Sequence, residues 1–198
     1  MTKILIASHN KDKIKEIQAI FVDTLNDIEF VDGIDPGEVE EDGDTIEENS
    51  MIKANAWLDV NPDCVVISDD TGLYIEALNG DPGVFAARYA GEGCSYQDNC
   101  DKVMENMQDI ENRKAKFSTC ATAVRADSPS IVAIGNVEGL IAKKQSGASG
   151  FGYDPVFIPS QDEDGPTYAD MSIGAKNMIS HRSKAFRALA IGIRDAKW

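Results

Sequence analysis

The stretch Val65-Val66-Ile67-Ser68-Asp69-Asp70-Thr71-Gly72 joins an apolar run to two adjacent carboxylates and a turn-forming pair. The β-branched run predicts a buried strand over 65–68, and a strand that ends in carboxylates presents them at the edge of a sheet, where a divalent cation and water can reach them. Adjacent strand positions point to opposite faces, so we expect Asp69 and Asp70 to have different roles. The stretch indicates a metal-assisted hydrolase. Asp-Asp-Thr-Gly is equally common as a turn, and the motif alone leaves both interpretations open.

The composition is that of an ordinary globular protein. The chain has 198 residues, 42% hydrophobic and 27% charged, enough for one domain or for two lobes that share a core. The formal net charge of −15 disfavours a polyanionic partner, so no nucleic-acid binding is expected. No apolar run approaches the length of a membrane span or of a secretory signal, so we expect a cytoplasmic protein with no membrane partner. The four cysteines form no Cys-x-x-Cys pair and indicate free thiols.

Outward from this strand, the apolar pattern predicts a mixture of helices and strands. Residues 3–8 indicate another buried strand, and Asn10 is a candidate helix cap before apolar residues at helical spacing. Thr45 and Glu48 form a capping-box pattern that predicts a helix to about residue 58. Further predicted elements are strands at 28–31, 117–124 and 131–137, the last two as an antiparallel hairpin, and helices at 96–107 and from a cap at Ser183 onward. The class is α/β to α+β.

Ser8-His9-Asn10-Lys11-Asp12-Lys13 lies where the first predicted strand is followed by a helix. Backbone N–H groups at a helix start, the positive end of the helix dipole and the lysines converge there, and this arrangement binds phosphate. The segment lacks the Walker pattern, and a basic first helical turn is also common on plain surfaces. From this segment alone, phosphate binding and an ordinary surface both stay open.

A second candidate region is an acidic loop followed by the helix that carries Lys53. Seven acids lie within eleven residues: Glu38, Glu40, Glu41, Asp42, Asp44, Glu47 and Glu48. Most must face water, because unpaired buried carboxylates are costly, but one or two could complete an oxygen-only Mg²⁺ site with Asp70. Lys53 either faces the same site or pairs with a polar neighbour on the surface, and its spacing favours the surface pair.

Phe151-Gly152-Tyr153-Asp154-Pro155 places two aromatic residues around a glycine. Such a loop could stack on a nucleobase, or its rings could fill the core. Ser180-His181-Arg182 offers hydrogen-bond donors just before the last predicted helix. Donors suit a purine with a carbonyl at its sixth position and oppose adenine, whose amino group is itself a donor. A surface His-Arg pair is the alternative.

Together these segments resemble the inosine triphosphate pyrophosphatase family, whose members hydrolyse deaminated purine nucleoside triphosphates. The resemblance spans nearly the whole chain in order: SHNKDKIKEI, EENSMIKA, SDDTGLYIEALNGDPGVFAARYAGE, GFGYDPVF and AKNMISHRSKAF. It implies a single domain over residues 1–198 with two lobes, in an elongated α/β subunit. The implied subunit has a central bent mixed sheet flanked by helices and an active-site cleft between the lobes, and it forms a homodimer.

The resemblance also implies roles for individual residues. Asp70 is the expected catalytic acid and metal ligand, with Asp69 and Lys53 beside it. Glu40 is the expected second Mg²⁺ ligand, with the register between Glu40 and Glu41 left open. The expected substrate contacts are Ser8, His9, Asn10, Lys11, Asp12, Lys13, Thr71, Phe151, Gly152, Tyr153, Asp154, Lys176, His181 and Arg182.

The implied reaction is Mg²⁺-dependent attack of water on the α-phosphorus of inosine or xanthosine triphosphate, with release of pyrophosphate. The lysines and the metal would neutralise charge that grows on the phosphoryl oxygens. Two alternatives stay open: a related nucleotide pyrophosphatase with another modified-base preference, and a nucleotide sensor without catalysis. A phosphatase that works through an aspartyl phosphate is less expected, because Asp69-Asp70-Thr71 lacks the Asp-x-Asp spacing of such enzymes.

Overall fold

The structure, a computed structural model, describes residues 1–198 and confirms a mixed α/β fold. The strands are β1 (Thr2–Ile6), β2 (Ile28–Phe30), β3 (Val65–Ile75), β4 (Pro82–Gly83), β5 (Lys114–Val124), β6 (Ile131–Ile141) and β7 (Phe157–Ile158). The helices are α1 (Lys11–Val22), α2 (Ile46–Val60), α3 (Tyr96–Asn106), α4 (Ile173–Ile179) and α5 (His181–Asp195). None of these helices has both the length and the apolar character needed to cross a membrane.

The strands form one mixed sheet in the order β2-β1-β3-β5-β6-β7, with β4 paired to β3. β1 runs parallel to both of its neighbours, and Ile4 lies opposite Phe30 on one side and Val65 on the other. β4 pairs antiparallel with β3, and β7 pairs antiparallel with β6. Residues 125–130 join the neighbouring strands β5 and β6, and this connection is too short for a parallel crossover. The predicted antiparallel hairpin is therefore confirmed.

The predicted end of the central strand at Ser68 is wrong, because β3 continues through the acid pair. Leu73 and Ile75 are buried apolar residues at alternate positions, and their burial sustains the strand beyond the acids. β3 pairs with β1 before Asp69 and Asp70 and with β4 after them. Between these two pairings lie the acids, which are therefore inside a continuous strand rather than at its end.

The first of two compact units comprises Met1–Asp70, Thr119–Gly135 and Arg182–Trp198. Helices α1 and α5 pack on one face of its strands, in a core that includes Ile4, Ile17, Phe21, Val65, Ile67, Phe186 and Leu189. Helix α2 packs on the other face, in a core that includes Leu5, Ala54, Trp57 and Val66. Because strand side chains alternate, Asp69 lies on the sheet face that α1 and α5 cover, whereas Asp70 lies on the sheet face that α2 covers.

The second unit comprises Thr71–Ser118 and Asn136–His181. Its core includes Leu73, Ile75, Val103, Met107, Phe117, Phe157 and Tyr168. The guanidinium of Arg113 is buried at the margin of this core and donates hydrogen bonds to the carbonyl oxygens of Met107, Ile141 and Ala142. These bonds satisfy backbone groups that would otherwise be buried without partners.

Two of the five helices begin at the predicted caps. Asn10 caps α1, and the Thr45–Glu48 capping box opens α2. The predicted cap at Ser183 is wrong: α5 begins at His181, so the His-Arg pair lies inside the first helical turn rather than before the helix. The pattern did not predict α4, because a seven-residue helix with exposed apolar side chains has no clear periodicity.

Three buried hydroxyls attach α2 to the sheet beside the acid pair. Ser50 Oγ donates to Thr122 Oγ1 at 2.8 Å, and Ser68 Oγ donates to the carbonyl oxygen of Ser50 at 2.6 Å. All three side chains are at most 1% exposed. Leaving one of these groups without its partner would cost the desolvation of a buried polar atom, so the contacts define how α2 sits on the strands.

Candidate active site

Asp69 lies within a cluster of opposite charges in the first unit. Its Oδ2 is 3.2 Å from Lys13 Nζ and 3.4 Å from Arg182 Nη2, and the carboxylate is 2% exposed. Burial opposes ionisation, but the positive charges of Lys13, Arg182 and Lys53 outweigh it and hold the pKa of Asp69 far below its usual range. Asp69 is therefore an ionised carboxylate held between α1 and α5.

Arg182 also pairs with Glu16, a residue that the sequence analysis did not select. Arg182 Nη1 donates to Glu16 Oε2 at 2.8 Å, and both side chains are buried. Glu16 lies one turn after Lys13 on α1, next to the buried Ile17. The sequence signal for this pair was the position of Glu16 beside the apolar face of α1. A glutamate buried at such a position usually has a charged partner.

Lys53 faces the acid pair rather than the open surface. Its Nζ donates to the main-chain oxygen of Asp69 at 3.1 Å and lies 2.8 Å from Glu41 Oε2. Burial lowers the pKa of Lys53, but the negative charges of Asp69, Glu41 and Asp70 outweigh it, so its pKa is raised. Glu41 is half-buried at this position, whereas Glu40 is exposed. The spacing-based prediction of a surface pair for Lys53 is therefore wrong.

Asp70 is half-buried on the α2 face of β3. Asn49 Nδ2 lies 3.3 Å from Asp70 Oδ2 and donates a hydrogen bond to it. Thr71 follows in the same strand and is also half-buried. The two neighbouring acids thus have different environments, as the alternation of strand side chains predicts: one carboxylate is buried among cations, and the other is partly open to water.

The segment from Ser8 to Lys13 forms a capped helix start. Asn10 Oδ1 accepts hydrogen bonds from the N–H groups of Asp12 and Lys13, and Asn10 N–H donates to Ser8 Oγ. Lys13 points into the Asp69 cluster, where burial lowers its pKa more than the charge of Asp69 raises it. The exposed His9 instead contacts Asp35 and Trp57, while Lys11 and Asp12 are exposed.

Asp70 and Glu41 are half-buried carboxylates whose negative charges lie near Lys53, and they are candidate ligands for a metal ion in the first unit. Asp69 Oδ2 is already engaged by two cations, so it is not the open carboxylate. No group of three or more His, Cys, Asp or Glu side chains is arranged to hold a metal ion. A donor set of one or two carboxylates fits a hard divalent cation that takes its other ligands from water and from phosphate.

A second cluster, which we call the aromatic cluster, lies in the second unit and consists of Phe117, Phe151, Asp154, Tyr168, Lys176 and His181. At its centre is a buried ion pair, with Lys176 Nζ 2.7 Å from Asp154 Oδ2. The same carboxylate oxygen accepts a hydrogen bond from Phe151 N–H at 2.8 Å. The ammonium group lies 4.8 Å from the centroid of the Phe151 ring, within the range of a cation–π contact.

Rings stack on the other side of the aromatic cluster. The imidazole of His181 lies on the Phe117 ring with centroids 4.3 Å apart and planes 16° apart. Phe151 is half-buried, and its ring centroid lies 6.0 Å from that of Tyr96. Gly152 has a φ of 64°, which a residue with a side chain rarely adopts, so the loop conformation requires glycine there.

Tyr153 belongs to the core rather than to an open surface. Its ring is buried, its hydroxyl donates to the carbonyl oxygen of Ala86 at 2.7 Å, and burial raises the pKa of the phenol. The core interpretation of the Phe151–Asp154 loop therefore describes Tyr153. Phe151 is half-buried beside Tyr96 and Lys176, and its stacking on a base stays a prediction.

Comparison with known proteins gives relatives along almost the whole chain. A family model described as the Ham1 family matches residues 4–191. A protein named dITP/XTP pyrophosphatase from Thermoanaerobacter sp. (strain X514) is 42% identical over 192 residues, which cover 94% of each chain. A protein of the same name from Caldanaerobacter subterraneus subsp. tengcongensis is 41% identical and covers 96% of this chain and 94% of its own. The solved structure of the Staphylococcus aureus Ham1 protein matches at a TM-score of 0.83 and 35% identity, over 98% of this chain and 100% of that one.

Proposed function

This chain belongs to the Ham1 family, and from that premise we propose that it hydrolyses deaminated purine nucleoside triphosphates such as ITP, dITP and XTP. The products would be the nucleoside monophosphate and pyrophosphate. Relatives about 40% identical over nearly their whole length carry the name dITP/XTP pyrophosphatase. The observation that carries the proposal in this chain is the placement of Lys13 and Lys53 around adjacent carboxylates, of which only Asp70 is partly open to water.

In the proposed reaction, water attacks the α-phosphorus and pyrophosphate leaves. Asp70 would orient the water and accept its proton, because its carboxylate is half-buried, lies beside a hydrogen-bond donor and is within reach of solvent. Lys13 and Lys53 would stabilise negative charge on the phosphoryl and leaving oxygens. Asp69 would hold both lysines in place, since it bonds Lys13 through its side chain and Lys53 through its main-chain oxygen.

We propose Mg²⁺ as the metal ion. Asp70 and one glutamate of the acidic loop would hold it, and Glu41 is favoured over the expected Glu40 because its carboxylate lies beside Lys53 whereas Glu40 is exposed. When bound with substrate, the ion would supply positive charge to the phosphate oxygens. The rest of its coordination would come from water and substrate, as is usual for Mg²⁺.

The aromatic cluster is the proposed base-recognition element. Phe151 can stack on a purine, and the ammonium of Lys176 and the imidazole of His181 can donate to a carbonyl at its sixth position. Adenine has an amino group at that position, which is itself a donor and cannot accept from Lys176 or His181, so adenine binding is disfavoured. Ser8, Asn10 and Arg182 would position the triphosphate and the side chains that hold it.

Three further features of the proposal concern organisation. The chain passes between the two units at 70/71, 118/119, 135/136 and 181/182, which supports one domain with two lobes. The homodimer is a prediction that sedimentation velocity would test. The cytoplasmic location is likewise a prediction, to be tested by cell fractionation.

The testing experiment is a Mg²⁺-dependent assay with ITP, matched against ATP and GTP, that resolves pyrophosphate from orthophosphate. Pyrophosphate and IMP, with ATP nearly untouched, are expected. Orthophosphate release would contradict the cleavage position, and equal use of ATP would contradict the role of the aromatic cluster. Binding of ITP without turnover would favour the nucleotide sensor.

A further inference from the structure

Asn49 connects the acidic loop to the proposed catalytic acid through a single side chain. It lies in the first turn of α2 and is 3% exposed. Its Oδ1 accepts a hydrogen bond from the N–H of Gly43 at 2.9 Å, and its Nδ2 donates to Asp70 Oδ2 at 3.3 Å. One end of the amide therefore holds the loop, and the other end holds the carboxylate.

The chemistry of the two partners fixes the orientation of this amide. A backbone N–H can only donate, so Oδ1 must face Gly43, and this leaves the donor Nδ2 facing Asp70. Aspartate at position 49 would keep the bond to the loop but present an oxygen to Asp70. Leucine, of similar volume, would lose both bonds. The two contacts can thus be separated by substitution.

The surroundings of Asn49 indicate that the contact is built into the fold. A Cβ on Gly43 would lie 2.6 Å from Glu48 Cβ and 2.8 Å from Asn49 Oδ1, so only glycine permits this close approach. Lys53 lies one turn further along α2, on the same side of the helix, and pairs with Glu41 of the same loop. Two side chains of α2 therefore hold the loop that is proposed to carry a metal ligand.

We propose that Asn49 is a positioning residue that orients the Asp70 carboxylate toward the attacking water and couples it to the acidic loop. This inference rests on the proposed hydrolase function. A misoriented carboxylate lowers the rate of the chemical step, while the contacts that bind the triphosphate are left in place. The loss is therefore expected in kcat, with little change in KM.

The test compares Asn49→Asp and Asn49→Leu with Asn61→Asp as a matched control. Asn61 is buried on the same unit at the end of α2, and its side chain holds the backbone of Ile34 through one accepted and one donated hydrogen bond. Each variant is assayed with ITP and Mg²⁺ for kcat and KM, and its thermal midpoint is measured. We expect kcat to fall about 10- to 100-fold in both Asn49 variants with KM within about threefold, and kcat of Asn61→Asp to stay within about twofold despite a lower thermal midpoint.

Three outcomes would overturn the inference. Parent-like kcat in Asn49→Asp would mean that the donor to Asp70 is unimportant. Activity in Asn49→Leu but not in Asn49→Asp would assign the loss to the added charge. An equal loss of kcat in Asn61→Asp would assign it to a general structural defect.

Hydrogen exchange at residues 42–45 supplies a readout that does not depend on turnover. Exchange should stay slow in the parent and in Asn49→Asp and become faster in Asn49→Leu, because only leucine removes the acceptor for the Gly43 N–H. Slow exchange in all three proteins would refute the loop contact. If the parent protein releases no pyrophosphate from ITP, the proposed function fails, whereas the exchange result still decides whether Asn49 holds the loop.

Discussion

Replacement of Asp154 by Asn removes one charge from the buried ion pair of the aromatic cluster. The amide can still accept hydrogen bonds at the position of Oδ2, so the substitution changes charge more than shape. The ammonium of Lys176 then stays in a buried site without the carboxylate that lies 2.7 Å away in the parent protein. Removing one partner of such a pair typically costs about 3–5 kcal/mol.

An upper bound on this cost follows from the chemistry of lysine. The variant can release the ammonium proton, and from the ordinary lysine pKa of about 10.4 that release costs about 4.6 kcal/mol at pH 7. We therefore expect the free energy of unfolding to fall by about 3–4.6 kcal/mol at pH 7. For a domain of this size that corresponds to a fall of about 6–18 °C in Tm.

The cost should shrink as the pH rises. A folded variant that has released the proton binds fewer protons than its unfolded chain, so its stability increases with pH relative to the parent. At pH 9 the bound is only about 1.9 kcal/mol. The destabilisation of Asp154→Asn should therefore fall from about 3–4.6 kcal/mol at pH 7 to at most about 1.9 kcal/mol at pH 9.

Urea unfolding of the parent and Asp154→Asn at both pH values measures this effect. Glu163→Gln is the matched control, because Glu163 pairs with Lys143 at the same 2.7 Å but on an exposed surface. We expect this control to unfold close to the parent at both pH values. A loss of stability in Asp154→Asn below about 1 kcal/mol at pH 7, or one that does not change with pH, would refute the reasoning. It would mean that the buried ammonium of Lys176 is not the main source of the destabilisation.

Three further predictions concern other parts of the molecule. Asp70→Asn should abolish pyrophosphate release while ITP binding by calorimetry and the circular dichroism spectrum stay parent-like, and retained turnover would exclude its proposed role. Burial raises the pKa of Cys100 to about 12 and that of Cys120 to about 11. At pH 8 iodoacetamide should therefore modify the half-buried Cys64 and Cys94 first, and equal modification rates by mass spectrometry would contradict this. Thr45→Ala removes the cap that accepts from Glu48 N–H and should lower stability by about 1 kcal/mol in urea unfolding, with no change in the m-value.

Local signals in the sequence account for much of the first unit. The caps at Asn10 and Thr45 are properties of a few neighbouring residues, and both are confirmed. The different environments of Asp69 and Asp70 follow from strand alternation alone. These features were predictable because each depends on chain geometry within a few residues.

Long-range contacts are what the sequence could not supply. The extension of β3 past the acids is accompanied by pairing with β5 and with β4, a two-residue strand that no periodicity reveals. The pairing of Glu16 with Arg182 joins residues 166 positions apart. The contact of Lys53 with Glu41 depends on where the acidic loop folds back onto α2. In each case, the partner is defined only once the tertiary structure exists.

The hydroxyl contacts among Ser50, Ser68 and Thr122 have a consequence for how this protein can change over evolutionary time. A hydrocarbon interface tolerates one substitution at a time, because neighbouring apolar atoms can shift to fill small gaps. A hydroxyl that loses its partner has no such compensation, so a single exchange to an apolar residue strands another polar atom. Drift at these positions should therefore proceed by paired replacements, and homologous chains should carry either several small hydroxyl residues there or several small apolar ones.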